Sequence, residues 1–321
     1  MYCEDISAGT TIKGFTFTNG AIDLMMNGAG IYLATSSPRI VNCDFVSNSA
    51  QGHGGGMQCI FYSNPHVENC NFIGNDVMGH GGGLSCMYES SPTLVGCTFM
   101  GNDTRCHGGG ISCVSGSAPA ITGCLFTGNS AMGEGGAISV VSGSSPTITE
   151  CRFDGNSTMG MGGALGISSA STPNLSRCVF IHNLSNHGAA MSFSSSTPVI
   201  VNCTFAYNEA SLGSVLLSDA SVTEIRNSII AHNDGSTVVC QEGDAPLFTC
   251  CDLYGNSGGD WIGCIEMQLG LDGNISLDPL FCGEANPAEP LGLAETSPCA
   301  AAYNPSCGLI GAVEALCPGL I

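Results

Sequence analysis

Basic residues are nearly missing from this chain: six Lys plus Arg stand against 26 Asp plus Glu, for a formal net charge of −20 over 321 residues. From residue 227 onward there is no Lys or Arg at all. A surface of this sign repels phosphate backbones and anionic membranes, so nucleic acid is not expected as a partner. It also opposes acidic polysaccharides, and leaves self-repelling, non-aggregating behaviour or cation binding. Long apolar runs are missing too: no stretch of about 18 apolar residues occurs, and membrane insertion by a helix is not expected. The opening Met1-Tyr-Cys-Glu-Asp has neither a basic start nor an apolar run, so no signal peptide is read there. Charge is sparse, at 10% of residues, while 43% are hydrophobic, enough to fill a core and too many for compositional disorder.

Repetition is what the chain has in abundance. The phrase Pro-x-Ile-x-x-Cys-x-Phe-x-x-Asn, followed by a Gly-rich loop, returns every 27 residues. Its cysteines fall at Cys43, Cys70, Cys97, Cys124, Cys151 and Cys178, then at Cys203 after a step of 25. Phe45, Phe72, Phe99, Phe126, Phe153, Phe180 and Phe205 keep step, as do Asn48, Asn75, Asn102, Asn129, Asn156, Asn183 and Asn208. Weaker copies include Ile12, Phe15 and Phe17 at one end, then Ile225, Ile230 and Asn233, and last Cys251, Leu253 and Asn256. A fixed period of this length means stacked coils and one elongated body.

Within each repeat the apolar residues alternate over short runs, which is strand periodicity. One coil predicts Ile121 inward, a corner at Thr122-Gly123, Cys124 and Phe126 inward, a turn at Asn129, a loop over Met132–Gly136, and Ile138 with Val140 inward. The expected fold is all-β, a right-handed parallel β-helix, because parallel crossovers in one sheet are nearly always right-handed. About ten coils spaced by about 4.8 Å make a rod on the order of 45 Å long. Residues 1–257 are expected to form the solenoid and 258–321 an irregular, disulfide-rich cap.

The segment Ser36-Ser-Pro-Arg-Ile-Val-Asn-Cys-Asp-Phe45, with its later copies and their Gly-Gly-Gly-Ile/Leu loops, resembles the right-handed β-helix repeat proteins of bacterial surface and secreted polypeptides. These are similar to the pectate-lyase-like superfamily in fold and to polymorphic outer-membrane proteins in their Gly-Gly and Phe-x-x-Asn repeats. Asn274–Phe281, Thr296–Cys299 and Gly308–Ala312 look like the segment that closes such rods. The resemblance implies an extracellular or cell-surface setting. It does not select a function, since adhesins, structural proteins and enzymes share the fold.

The cysteine ladder is expected to be free thiol in the core, because Cβ vectors in adjacent coils run parallel and disfavour bridging. A second inward column, Cys59, Cys86 and Cys113, is continued by Val140, Ile167 and Phe193 and reads the same way. Cys240, Cys250, Cys251, Cys264, Cys282, Cys299, Cys307 and Cys317 lack repeat spacing and are expected as disulfide staples of open connectivity. Zinc is the alternative there, but no Cys-x-x-Cys pair occurs.

His53, His80 and His107 share one loop position in successive coils, continued by Glu134, Met161 and His187. Stacked imidazoles can bind a transition metal or make a pH-sensitive stripe; a tolerated surface position is the plainer reading. No cofactor is required by the sequence, and Ca²⁺ or a transition metal is the only class left open. Gly52-His53-Gly54 and Gly79-His80-Gly81 match an element of polygalacturonase-like enzymes, but the chain has no Asp-Asp pair and no Arg-x-Lys. Arg39, Arg105, Arg152, Arg177 and Arg226 share no repeat position, which also argues against lyase chemistry. No catalytic residue is therefore assigned.

The Asn column is expected to be structural. The outward positions Gln58, Ser85, Ser112, Ser139, Gly166 and Ser192 suggest a smooth strip against which a sugar or subunit can lie. Thr11–Asn19 already forms a coil, so either upstream coils precede it or something covers its edge; a covering partner is the expectation, with end-to-end self-association into a fibre as the candidate. The expected role is a non-enzymatic extracellular structural or adhesive protein. The alternatives are a carbohydrate-binding or carbohydrate-cleaving rod, and a metal-binding surface protein using the His column.

Overall fold

In a computed structural model, residues 1–22, 27–243, 245–283 and 289–317 are described. Each coil repeats the same path. Ala120–Thr122 and Leu125–Thr127 lie on two faces, and Ser130–Ala131 and Ile138–Val140 share the third. Gly123 (φ 60°) and Gly128 (φ 61°) are the left-handed residues that swing the chain from one face to the next. Asn42, Asn69, Glu150 and Arg177 hold the same conformation at the first corner, so glycine is favoured there but not obligatory. Ile121, Cys124, Phe126, Ile138 and Val140 all point inward and are at most 2% exposed.

Stacking these coils gives three parallel sheets. Two have ten strands, running from Thr11–Lys13 to Leu247–Thr249 and from Thr16–Thr18 to Asp252–Tyr254; the third has 17, because most coils give it two short strands. Register follows the period, so Phe99, Phe126 and Phe153 are direct partners. The architecture is thus an all-β parallel solenoid of ten coils. The only helical element among the described residues is the 3₁₀ turn Gly263–Gln268.

Every corner of the coil carries its own ladder. A chain that turns sharply between strands leaves buried N–H groups needing acceptors. At the second corner, Asn129 Oδ1 accepts the backbone N–H and side-chain N–H of Asn102, while its Nδ2 donates to Phe99 O and to Asn156 Oδ1. At the third, a column that sequence reading passed over does the same work: Ser36 N–H donates to Ser63 Oγ and Ser63 N–H to Ser90 Oγ, each 3.0–3.1 Å. At the first corner the acceptor is sulfur. Cys43 N–H points at Cys70 Sγ and Cys124 N–H at Cys151 Sγ, at 3.3 and 3.4 Å. Where the cysteines stop, Ser228 Oγ accepts from Cys203 N–H and Asn274 Oδ1 from Cys251 N–H. The ladder cysteines are therefore corner acceptors as well as packing.

The Gly-rich loop bulges from the third face because Gly54, Gly81, Gly108, Gly135, Gly162 and Gly188 take φ of 63–74°. At Gly135 a side chain would be strained by φ and would also meet Ile138 O at 2.1 Å. The coil over Glu209–Asp219 has no left-handed glycine, and its two short strands merge into one of 11 residues.

The C-terminal segment does two jobs. Trp261 is buried, its Nε1 donates to Ile275 O and its ring meets the edge of Phe248, while Gln268 caps Phe248 N–H and Pro246 O; together these cover the last coil. The chain then turns back as a strap along the outside of the second face. Asn202 Nδ2 and Asn227 Nδ2 donate to Leu309 O and Cys307 O, and Ala312 N–H donates to Thr204 Oγ1. Leu291 packs with Val179, Ile181 and Ala206, which the strap keeps from solvent.

Three disulfides hold this arrangement: Cys240–Cys264, Cys250–Cys307 and Cys282–Cys317. The expectation of eight bridged cysteines is corrected for two of them. Cys251 is the continuation of the first-corner ladder, a buried thiol pushed up to about 12 by burial. Cys299 is a buried thiol that donates to Asp252 Oδ2 at 3.0 Å.

Candidate functional site

Several thiols of the two cysteine columns are held protonated inside the rod. Cys97 and Cys124 are pushed up to about 12 by hydrogen bonding with the next thiol of the column and by burial. Cys86 and Cys113, of the second column, are raised well above the usual thiol range. A thiol held protonated is neither nucleophile nor metal ligand.

The serine strip is corrected by the structure. Gln58, Ser85, Ser112, Ser139 and Ser192 are buried, at most 6% exposed. The Gly-rich loop folds back over its neighbours on the third face: a Cβ at Gly81 would lie 2.9 Å from Ser85 Cβ, and one at Gly166 would lie 2.7 Å from Glu134 Cβ. Strand alternation correctly placed these residues outward but could not show that a loop covers them. Ser85, Ser112 and Ser139 hydroxyls have no hydrogen-bond partner under that cover.

The loop that covers them carries the His column, half-buried and stacked. Ring centroids are 5.0 Å apart for His53 and His80 and 5.2 Å for His80 and His107. His53 Nδ1 accepts the N–H of His80 and His107 Nδ1 that of Glu134, whereas His80 Nδ1 is buried without a partner. Burial, with His53 and His107 beside it, lowers His80 to about 4, so a stripe titrating near neutral pH is not what this geometry makes at that residue. The described side chains whose ligand atoms lie within 4.8 Å of one another are His80, His107 and Cys106, not His53. Sequence reading missed Cys106. Its signal was a break in the column Gly52, Gly79, Gly133, Gly160, where one coil puts cysteine for glycine.

A different surface stands out at the corner between the third and first faces. Phe61, Tyr62 and Tyr88 are 46%, 61% and 47% exposed, and Phe61 stacks on Tyr88 with centroids 5.2 Å apart. All three take left-handed backbone, φ 55°, 61° and 52°. The following coils put Ser115-Gly116 and Ser142-Gly143 at this corner. Left-handed geometry costs a bulky residue about 1–2 kcal/mol, and local strain of this kind concentrates at functional positions.

Arg39, Arg152, Arg177 and Arg226 are ion-paired with Glu68, Asp154, Glu150 and Glu224. None of these four is poised as the free base or carboxylate grip that uronide cleavage needs.

Asp252 is the buried carboxylate under the strap. Oδ1 accepts Leu277 N–H and Oδ2 the thiol of Cys299, both at 3.0 Å. Burial is the main cause that lifts it to about 6, with Asp260 and Asp278 adding repulsion. Because the folded value lies above the unfolded one of about 3.9, the folded state binds more protons between these limits, and stability falls as pH rises through this window. Above pH 6 the cost is on the order of 3 kcal/mol. Asp252→Asn is expected to recover most of it at pH 7 and to flatten the melting temperature between pH 4 and 6. An unchanged pH profile of melting in the variant rules this account out.

The family model described as right handed beta helix region matches residues 2–162, 130–243 and 160–274. The chain belongs to this family. Its members are parallel β-solenoids, and the fold serves enzymes and non-enzymes alike. No curated protein and no solved structure matches the chain.

Proposed function

We propose that the protein is a secreted or surface-displayed rod with a structural and adhesive role, whose contact surface is the aromatic corner of Phe61, Tyr62 and Tyr88. The exposed, stacked aromatic cluster carries this reading: packing has no need of large rings at an exposed left-handed corner, and the two coils that follow use Ser-Gly there. Flat rings meet the C–H face of a sugar, and the net charge of −20 favours neutral glycans over acidic ones. The repeated Asn, Ser and Cys columns support a scaffold rather than a catalyst, because their polar atoms are engaged in joining coil to coil. Disulfides suit an oxidising compartment.

The last coil is covered by Trp261 and its neighbours, so a fibre paired strand to strand through that end of the solenoid is disfavoured.

The test is a neutral-glycan array combined with a reducing-end assay, run on the wild type and Tyr62→Gly. Selective binding without new reducing ends, lost in the variant, is the expected result. Glycine at φ 61° is also expected to leave stability unchanged or raise it by up to about 1 kcal/mol, separating a binding role from a structural one. A silent array, or release of reducing ends, overturns the reading.

A further inference from the structure

Cys106 stands apart from the other thiols. It is partly exposed in the loop, whereas the remaining free cysteines of the described chain are buried. It lies beside two imidazoles from successive coils, and the ligand atoms of His80, Cys106 and His107 fall within 4.8 Å of one another. The buried, unpartnered Nδ1 of His80 is a second observation pointing the same way, since the neighbouring rings both have their Nδ1 engaged by a backbone N–H.

We infer that His80, Cys106 and His107 form a binding site for one borderline-soft divalent transition ion, Zn²⁺ being the probe of choice, with a fourth position left to water. Two imidazoles and one thiolate suit zinc and its first-row neighbours and do not suit Ca²⁺ or Mg²⁺, which take oxygen ligands. A tetrahedral zinc with bonds of about 2.0–2.3 Å holds its ligand atoms roughly 3.3–3.7 Å apart. Side-chain rotations closing the cluster by about 1 Å meet that requirement, and the Gly-rich loop gives the ion an approach from solvent. On binding, the Cys106 S–H proton leaves to solvent and the thiolate sulfur donates to the ion, so one proton is released for each ion bound at this thiol. If His107 ligates through Nε2, its ring proton moves to Nδ1 and the Glu134 N–H loses its acceptor, so one hydrogen bond is given up for the metal–nitrogen bond. This site goes beyond the adhesive reading and does not rest on it.

The experiment uses the full chain freed of metal by chelator and titrated with Co²⁺, then with Zn²⁺. A thiolate-to-cobalt charge-transfer band that saturates at one equivalent and is displaced by Zn²⁺ is expected. Cys106→Gly restores the residue of the neighbouring coils and is expected to abolish the band and weaken binding by more than about 100-fold, with an unchanged urea midpoint. His80→Gln should act in the same direction, while His53→Gln should leave the band intact. Excess Ca²⁺ should not compete. Absence of the band in the wild type, its survival in Cys106→Gly, or equal loss in His53→Gln overturns the assignment.

Discussion

Replacing Asn129 with alanine is expected to destabilise the rod by about 3–6 kcal/mol, a large effect for a single polar side chain. Asn129 is wholly buried and satisfied on every side. Its loss orphans the backbone N–H and the side-chain N–H of Asn102 and deprives Phe99 O and Asn156 Oδ1 of a donor each. A buried donor left without a partner costs about 1–3 kcal/mol, and two are created at once. Asn129→Asp is no rescue, because a carboxylate oxygen in place of Nδ2 faces two acceptors. Ser139→Ala provides the contrast: its hydroxyl is buried and has no partner, so its removal is expected to be neutral or stabilising. Urea denaturation of the three variants checks this ordering, and hydrogen exchange at Asn102 localises the damage. A loss below about 1 kcal/mol for Asn129→Ala would show that the ladder is decoration.

Phe126→Ala is the second large effect, at about 3–5 kcal/mol. The ring sits between Phe99 and Phe153 with centroids 4.9 Å away on both sides. Gly110 lies so close that a Cβ there would come within 3.1 Å of Phe126 Cδ1. Residues this confined relax little when a neighbour is cut away, so a cavity remains. In a solenoid each coil touches only its neighbours, and stability is a sum of coil and interface terms. Removing the ring from a middle coil weakens two interfaces, and the expected denaturation curve separates into two transitions. A single, unshifted transition would mean that the stack contributes little to cohesion between coils.

How far the sequence could be read depends on whether a feature is periodic. Phe126 and Asn129 recur every 27 residues, and a residue that recurs at the coil period must stack on its own copies, so face and ladder were legible. The third-corner serines recur just as regularly, yet Ser63 and Ser90 escaped notice because serine two residues before a proline looks like ordinary turn chemistry. Cysteine at the first corner read as apolar filler; its role as an N–H acceptor became visible only when Ser228 and Asn274 were found in its place. Cys106 interrupts a periodic glycine, and such a break carries information that a search for repeats discards.

The strap was harder to read. Outward apolar residues at Val179, Ile181, Ala206, Ile229 and Ala231 were the local sign that something covers the second face, but nothing in their spacing says what. The partner lies about 80 to 110 residues downstream, in a segment without repeats. The pairing of Cys250 with Cys307 and the burial of Asp252 by the same segment are consequences of that return path.

The sequence by itself determined the coil, its period, its parallel register and the identity of its core columns, since each follows from local alternation and from stacking like on like. Only the tertiary structure decided what covers what: the loop over Ser85 and Ser112, the strap over Val179 and Asp252, and the meeting of His80, Cys106 and His107. The physical reason is that contacts within the stack are repeated by translation along the rod, whereas the covering segments are irregular and are placed by non-repeating packing and disulfides.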